Sequence, residues 1–170
     1  MKNLAIENLK NISIFKNLNS DKLEKIKNII KEASFQKDTT INKEGDVGEE
    51  MYILLSGEVE ISRSLLLKVS GKGVDQKDKQ FLSLDGKNTP MFGEMALFDK
   101  NSIRSATVIA KTKCNLGVIS REEFFKLIES DHTIGFVVLK NMTQILCDRL
   151  NNTSKDVLKL TTALSLALEQ

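Results

Sequence analysis

The sequence is poor in the residues that most often carry out chemistry. Its 170 residues include one histidine and two cysteines. Cys114 and Cys147 lie far apart and belong to no CxxC or Cys/His cluster, which argues against a zinc site and a disulfide framework and favours reduced thiols. His132 follows Asp131 at a predicted helix break, and no serine or cysteine nucleophile has a recognisable base. We therefore expect a protein that is not an enzyme, with no catalytic residue, metal or cofactor.

The chain also lacks a long apolar run and a strong excess of either charge. Its first residues, MKNLAIENLKNISIF, mix Lys, Glu and Asn among the apolar side chains, so they form neither a signal peptide nor a membrane anchor. The formal net charge is only +2, because basic and acidic residues are nearly balanced, and this does not indicate a nucleic-acid partner. Length and composition suit one globular domain, which we place in the cytoplasm, away from DNA and membranes.

Short strands dominate the predicted middle of the chain. An amphipathic helix begins at Ser20, its expected N-cap, and the pattern changes after Ala33 to short runs of β-branched and aromatic residues between turns. We assign the α+β class: a mainly-β jelly roll over 36–119, N-terminal helices over 1–35 and C-terminal helices over 120–170. The predicted strands are Thr39–Ile41, Met51–Leu55, Glu58–Ile61, Leu65–Val69, Phe81–Leu84, Ala106–Ala110 and Cys114–Ile119.

Two segments around the last strands have clear local signals. The segment Ser70–Gln80 has two glycines, many charges and no apolar period, so it is predicted to be an exposed loop. Ser120 with Glu123 forms a capping box that starts a helix. That helix should end at Asp131 and His132, and its inward residues are Phe124, Leu127 and Ile128.

Proline is absent after residue 132 and Gly135 is the only glycine there, which predicts one long helix from Thr133 to the end. Its apolar positions advance from Leu150 in alternating steps of three and four, as in a coiled-coil seam. A parallel homodimer is one interpretation, and packing of this face on the protein's own roll is the other. The seam residues are Leu150, Thr153, Val157, Leu160, Leu164 and Ala167, with Leu146 preceding them.

The segment FGEMALFDKNSIRSATV combines features that suit a phosphate ester. Gly93 lets the backbone approach a ligand closely, and Glu94–Leu97 is a predicted helical turn whose free amides can face an anion. Arg104 supplies a planar, bidentate donor for phosphate oxygens. Glu94 accepts hydrogen bonds only, so it suits a sugar hydroxyl. An acidic side chain, Glu94, and a basic one, Arg104, together indicate a nucleotide rather than bare phosphate.

This segment resembles the phosphate-binding cassette of the cyclic-nucleotide-binding domain family. The ten residues from Glu94 to Arg104 resemble the spacing of the bacterial catabolite activator branch. Further stretches resemble the family's opening helix (IFKNLNSDKLEKI), its early strands (INKEGDVGEEMYILLSGEVEI) and its last strand and helix start (AKTKCNLGVISREEF). The chain departs from the family in lacking the usual glycine at Lys37-Asp38-Thr39 and the acidic residue where Asn88-Thr89-Pro90 stands.

The resemblance implies a set of ligand contacts. Arg104 and Ser105 would hold the cyclic phosphate, and Gly93 and Glu94 would contact the ribose. The stretch RLNNTSKDV resembles the helix whose hydroxyls meet adenine, which implies cAMP, although Ser105 leaves cGMP open. Arg149 either reaches the base or is solvated. The implied ligand-binding residues are Phe92, Gly93, Glu94, Met95, Ala96, Arg104, Ser105, Ala106, Thr153 and Ser154, within the cassette 92–106 and the long helix.

The expected function is a stand-alone regulatory sensor that binds a cyclic nucleotide and moves its C-terminal helix, acting on an unknown downstream protein. Only sixteen residues follow Ser154 and they continue the helix, so no DNA-binding module is expected. The alternative is a dimeric interaction or scaffold protein whose cassette no longer binds nucleotide. Retention of Glu94 and Arg104 argues against that alternative.

Overall fold

The computed structural model of the protein describes residues 4–68 and 74–168. Two short helices, α1 (Ile6–Lys10) and α2 (Ser20–Ile29), open the fold. Ser20 was expected to cap α2, but the cap is Asn19, whose side chain accepts a hydrogen bond from the Lys22 amide at 3.1 Å. The carboxamide of Asn19 reaches the first free amides of the helix, so Ser20 becomes the first helical residue.

The middle of the chain folds into two four-stranded antiparallel sheets. Their strand orders are β1-β8-β3-β6 and β2-β7-β4-β5. This arrangement confirms the predicted mainly-β roll flanked by helices. The strands are β1 (Lys31–Phe35), β2 (Thr40–Asn42), β3 (Glu50–Ser56), β4 (Glu58–Lys68), β5 (Val74–Asp85), β6 (Met91–Phe92), β7 (Thr107–Ala110) and β8 (Cys114–Ser120).

The extent of the strands differs from the prediction in three places. The roll begins at β1, inside the region assigned to helices, because β1 pairs along its whole length with β8. The two strands predicted between residues 58 and 69 form the single strand β4. The predicted loop 70–80 is strand from Val74 onward, and 70–73 lies outside the described residues. Ladder hydrogen bonds join backbone groups, so a charged strand can pair without an apolar pattern.

Hydrophobic residues form two separate cores. One lies between the two sheets, where alternate side chains from both sheets meet. The other lies between the sheet that contains β3 and the helices. The inner core consists of Tyr52, Leu54, Val59, Phe92, Val108, Ala110, Cys114 and Leu116, all buried.

The C-terminal helices follow the predicted order, with one correction at their junction. The Ser120 side chain accepts from the Glu123 amide at 3.4 Å and caps α4 (Arg121–Ser130), as expected. Asp131 alone separates α4 from α5 (His132–Leu168), so His132 begins a helix and is not part of the break. The cap explains this, because Asp131 accepts from the Ile134 amide at 3.2 Å.

Asp131 also ties the N-terminal helices to this junction. Lys22 on α2 reaches its two carboxylate oxygens at 2.9 and 3.1 Å, and Lys25 reaches one of them at 2.8 Å. The hydrogen bonds from Lys25 and Lys22 hold the pKa of Asp131 well below its usual range. The charge of Asp131 therefore joins three elements at one point.

Replacing Asp131 with asparagine should reveal this ion pairing through pH. A carboxyl whose pKa is lowered by folding stabilises the protein above its unfolded pKa, near 3.8, and loses that effect as the pH falls toward the folded value. Asparagine keeps the helix cap but not the charge. We expect wild type to be the more stable protein at pH 7 and the gap to Asp131→Asn to shrink below pH 4, measured by urea unfolding. A gap independent of pH would contradict this.

The second half of α5 extends away from the rest of the molecule. Every described residue from Leu150 to Leu168 is exposed, including the leucines and valine of the predicted seam. The interpretation in which this face packs on its own roll is therefore wrong. Within the described residues, no helix is both long and apolar enough to cross a membrane.

Candidate ligand-binding site

The predicted cassette is a short strand, a tight turn and a single helical turn. After β6, Gly93 adopts a φ of 74°, a conformation that favours glycine. A Cβ there would lie 3.0 Å from Nη1 of Arg104 and 3.2 Å from the Glu50 carbonyl oxygen. The helical turn α3 (Met95–Phe98) starts one residue later than predicted, with Glu94 at its N-cap position. Gly93 thus allows the chain to turn directly against Arg104.

Eight of the ten predicted ligand-binding residues line one small cavity. Its volume is about 130 Å³, and a wider groove of about 780 Å³ beside it shares Glu94, Met95, Arg104 and Ser105 and reaches Leu146 on α5. The small cavity is below the ~300 Å³ at which ligand pockets usually begin, so a nucleotide would need the groove as well. The eight lining residues are Phe92, Gly93, Glu94, Met95, Ala96, Arg104, Ser105 and Ala106.

Arg104 is buried and held by β3. Its side chain is only 5% exposed. Nη1 donates to the Glu50 carbonyl oxygen at 2.6 Å, and Nη2 donates to the Glu50 carboxylate at 2.9 Å. The guanidinium also lies 5.4 Å from the ring centre of Tyr52. Burial raises the pKa of Tyr52, and the charge of Arg104 opposes that rise. Tyr52 is thus a neutral neighbour of the guanidinium.

Glu94 is buried and held by α5. Its side chain is 7% exposed and accepts from Nη1 of Arg149 at 3.0 Å. Nη2 of Arg149 donates to the Met91 carbonyl oxygen at 2.6 Å. The interpretation of Arg149 as a solvated residue is therefore wrong, because both ends of its guanidinium bind protein groups. Arg149 joins the long helix to the cassette.

Thr153 and Ser154 lie outside the cavity. Both are exposed on α5, and the Thr153 hydroxyl donates to the Arg149 carbonyl oxygen at 3.0 Å. Thr153 is four residues beyond Arg149 and so lies on the same face of α5, whereas Ser154, five residues beyond, lies off that face. Neither residue is part of the cavity wall. Ser105 lines the cavity, and its hydroxyl lies 3.9 Å from the Met95 sulfur.

The loop that precedes Arg104 is anchored on two sides. Arg121, at the start of α4, donates to the Asp99 carbonyl oxygen at 3.1 Å and to the Ser102 hydroxyl at 2.8 Å. On the other side, the Arg104 amide donates to the Asp46 carbonyl oxygen at 2.8 Å. These bonds fix the backbone at Arg104, so a change of its partners must come from side-chain movement.

Sequence reasoning missed Glu50 and Tyr52 as parts of this site. Both belong to β3, whose start was predicted one residue after Glu50. Alternation along the strand carried a signal, since residues two apart point to one face. Nothing in the sequence identified which distant charge that face would meet.

The site holds a buried arginine, Arg104, and a buried glutamate, Glu94. Each is paired with a residue that is more exposed than itself. Glu50 is 43% exposed and Arg149 is 36% exposed. Buried charges are costly unless paired, so Arg104 and Glu94 require such partners. A ligand with an anionic group and a hydroxyl could replace both partners at once. Among the described residues, no group of three or more His, Cys, Asp or Glu side chains could hold a metal ion.

Comparison with known proteins agrees with this chemistry. The cyclic nucleotide-binding domain family matches residues 32–131. The chain is 32% identical over 124 residues to a cGMP-dependent protein kinase of Drosophila melanogaster, covering 72% of this chain and 12% of the kinase. It is 30% identical over 122 residues to the cAMP-activated global transcriptional regulator CRP of Pasteurella multocida, covering 72% of this chain and 52% of the regulator.

A solved structure supports the fold. The Thermus thermophilus catabolite activator protein superposes with a TM-score of 0.72 at 23% identity, covering 88% of this chain and 63% of that one. The chain spans about half of the transcriptional regulator and a small part of the kinase. The matched region is a regulatory, ligand-binding domain and not a catalytic one. By the match of its roll and cassette, this chain belongs to the cyclic nucleotide-binding domain family.

Proposed function

We propose that this chain is a single-domain regulatory module that binds cAMP and transmits the binding to its C-terminal helix. The observation that supports this most directly is the pair of buried charges, Glu94 and Arg104, on the wall of one cavity. Each is paired with a more exposed partner, Glu50 for Arg104 and Arg149 for Glu94, that a ligand could replace. A ligand that presents both a phosphate and a sugar hydroxyl accounts for them together.

In this proposal the phosphate and ribose enter the small cavity. The guanidinium of Arg104 and the amide and hydroxyl of Ser105 bind the cyclic phosphate, and Glu94 accepts from a ribose hydroxyl. Phe92, Met95, Ala96 and Ala106 supply the apolar wall. The base then extends along the adjoining groove, which reaches Leu146 on α5.

Coupling to α5 would run through Arg149. Its ion pair with Glu94, at 3.0 Å, is a direct contact between the cassette and the long helix. A ribose hydroxyl that bonds to Glu94 competes with Arg149 for the same carboxylate. The affinity of the ligand then differs between the bonded and released positions of the helix, which is what a conformational switch requires.

The preference for cAMP over cGMP is proposed on the hydroxyls of Thr153 and Ser154. A hydroxyl can both donate and accept, as the edge of adenine requires. Both residues are exposed on the same helix as Arg149, one turn further on. The two relatives described above do not distinguish adenine from guanine, since the kinase is named for cGMP and the transcriptional regulator for cAMP.

Isothermal titration with each nucleotide tests the proposal. We expect cAMP to bind at least tenfold more tightly than cGMP. Thr153→Val removes the hydroxyl but keeps the shape, and should weaken cAMP binding by about fivefold to tenfold, the effect of one lost hydrogen bond. Cyclic AMP should also speed amide hydrogen exchange in α5 around Arg149, if that ion pair opens.

Thr162→Val is a matched control for this experiment. Its hydroxyl makes the same bond to the helix backbone, donating to the Leu158 carbonyl oxygen at 2.9 Å, but it lies nine residues beyond Thr153. Equal losses in both variants would mean that Thr153 does not contact the base. Absence of heat with either nucleotide at millimolar concentration would favour the scaffold alternative instead.

A further inference from the structure

The geometry points to Glu50 as a built-in competitor for the phosphate site: its carboxylate occupies Arg104 and thereby limits the affinity for a cyclic phosphate. This inference rests on the proposed nucleotide function and adds its regulation. Neither the cassette nor the predicted ligand contacts include Glu50, which belongs to β3 on the other side of the guanidinium.

The contact between Glu50 and Arg104 has the form of a phosphate contact. Nη2 donates to the carboxylate at 2.9 Å, a charge-assisted hydrogen bond of the kind that arginine also makes with phosphate oxygens. Nη1 is taken by the backbone carbonyl oxygen of the same residue at 2.6 Å. One residue thus accepts a hydrogen bond from each terminal nitrogen of the guanidinium.

The surroundings of Arg104 hold it in this position. A Cβ on Gly48 would overlap the guanidinium, and a Cβ on Gly93 would lie 3.0 Å from Nη1, so the group fits between two glycines. Tyr52 lies beside it, with the hydroxyl 3.5 Å from Nη2. In this position the arginine is almost completely buried, whereas the Glu50 side chain is nearly half exposed.

A cyclic phosphate that binds Arg104 must therefore either displace the Glu50 carboxylate or bind beside it. If the Glu50 carboxylate stays, two anions share one cation in a partly buried site, and their repulsion opposes binding. If the carboxylate leaves Arg104, it can move into water because Glu50 is exposed, and the phosphate takes its place. Both routes make the carboxylate charge lower the affinity for the ligand. A neutral acceptor in the same place would not repel the phosphate, so the effect of the charge can be separated from that of the hydrogen bond experimentally.

Glu50→Gln separates them, because the carboxamide oxygen still accepts from Nη2 while the charge is gone. We expect cAMP to bind this variant about tenfold more tightly than wild type in isothermal titration. The control is Glu60→Gln, which removes the same charge from β4, where Glu60 pairs with Lys111 at 3.4 Å. That control should change the affinity less than twofold.

The chemical reactivity of Arg104 tests its contact with Glu50 without any nucleotide. Phenylglyoxal modifies accessible arginines, and peptide mass spectrometry locates the modified residue. A neutral hydrogen bond holds the guanidinium less tightly than an ion pair, so we expect Arg104 to react several times faster in Glu50→Gln than in wild type or in Glu60→Gln. If wild type binds neither nucleotide, the proposed function fails, and the arginine reactivity still decides the role of Glu50. Unchanged or weaker cAMP binding, or unchanged Arg104 reactivity, in Glu50→Gln would overturn the inference.

Discussion

Arg104→Lys should lower the affinity for cAMP by about two orders of magnitude. Lysine keeps the positive charge but is a single-point donor, so it cannot bond two phosphate oxygens in one plane. Loss of a charge-assisted hydrogen bond from a buried site costs about 3 kcal/mol, which is about a hundredfold in affinity. Arg104→Ala should weaken binding further, because it leaves the phosphate without a counter-charge. Isothermal titration against wild type measures both effects.

Arg63→Lys is the control for that substitution. Arg63 is an exposed arginine on β4 that pairs with Glu44 at 3.2 Å; it borders the wider groove but lies outside the small cavity proposed for the phosphate. The same exchange there should change the affinity less than twofold. The melting temperature of Arg104→Lys should stay close to that of wild type, because lysine can still pair with Glu50. If Arg104→Lys folds and binds cAMP as wild type does, Arg104 is not the phosphate ligand.

Leu160→Glu should convert a dimer of this chain into a monomer. Leu160 lies in the middle of the seam on α5 and is 67% exposed in the single chain. A parallel coiled coil would bury this position against its counterpart, so two glutamates would face each other without a partner. Glutamate is a good helix former, so the helix itself should persist. Sedimentation at micromolar concentration should give about twice the 19.0 kDa chain mass for wild type and a single chain for the variant.

Leu158→Glu provides the matched control for the dimer. Leu158 is 68% exposed on the same helix but falls outside the three-and-four repeat of the seam. The same change of side chain there should leave the dimer intact. A monomeric wild type would contradict the homodimer, and equal dissociation of both variants would place the interface on another face of α5.

These experiments address one physical arrangement. Two charged residues of the cassette are bonded to other elements. Arg104 is bonded to β3 through Glu50, and Glu94 is bonded to α5 through Arg149. In the proposed mechanism, a nucleotide would compete for both contacts, but with different consequences. Exchange at Arg104 would set how tightly the ligand binds, whereas exchange at Glu94 would release a contact of the long helix. Affinity and output would then be adjusted at separate residues.

Local patterns in the sequence determined much of this protein. The absence of proline after residue 132 predicted α5, the Ser120 capping box predicted the start of α4, and the cassette residues Gly93, Glu94 and Arg104 do line one cavity. Each of these depends on residues close together in the chain. Helix caps, glycine turns and helical periodicity act over a few residues, so they can be read without the fold.

Tertiary structure alone decided the partners of the charged groups and the extent of the sheets. Glu50 and Arg104 are 54 residues apart in sequence, and Glu94 and Arg149 are 55 apart. No local pattern chooses among the 25 basic and 23 acidic side chains at such distances. The strands β1 and the first half of β5 form because a neighbouring strand completes their backbone hydrogen bonds. Such pairing depends on where the chain is placed and not on which side chains it carries.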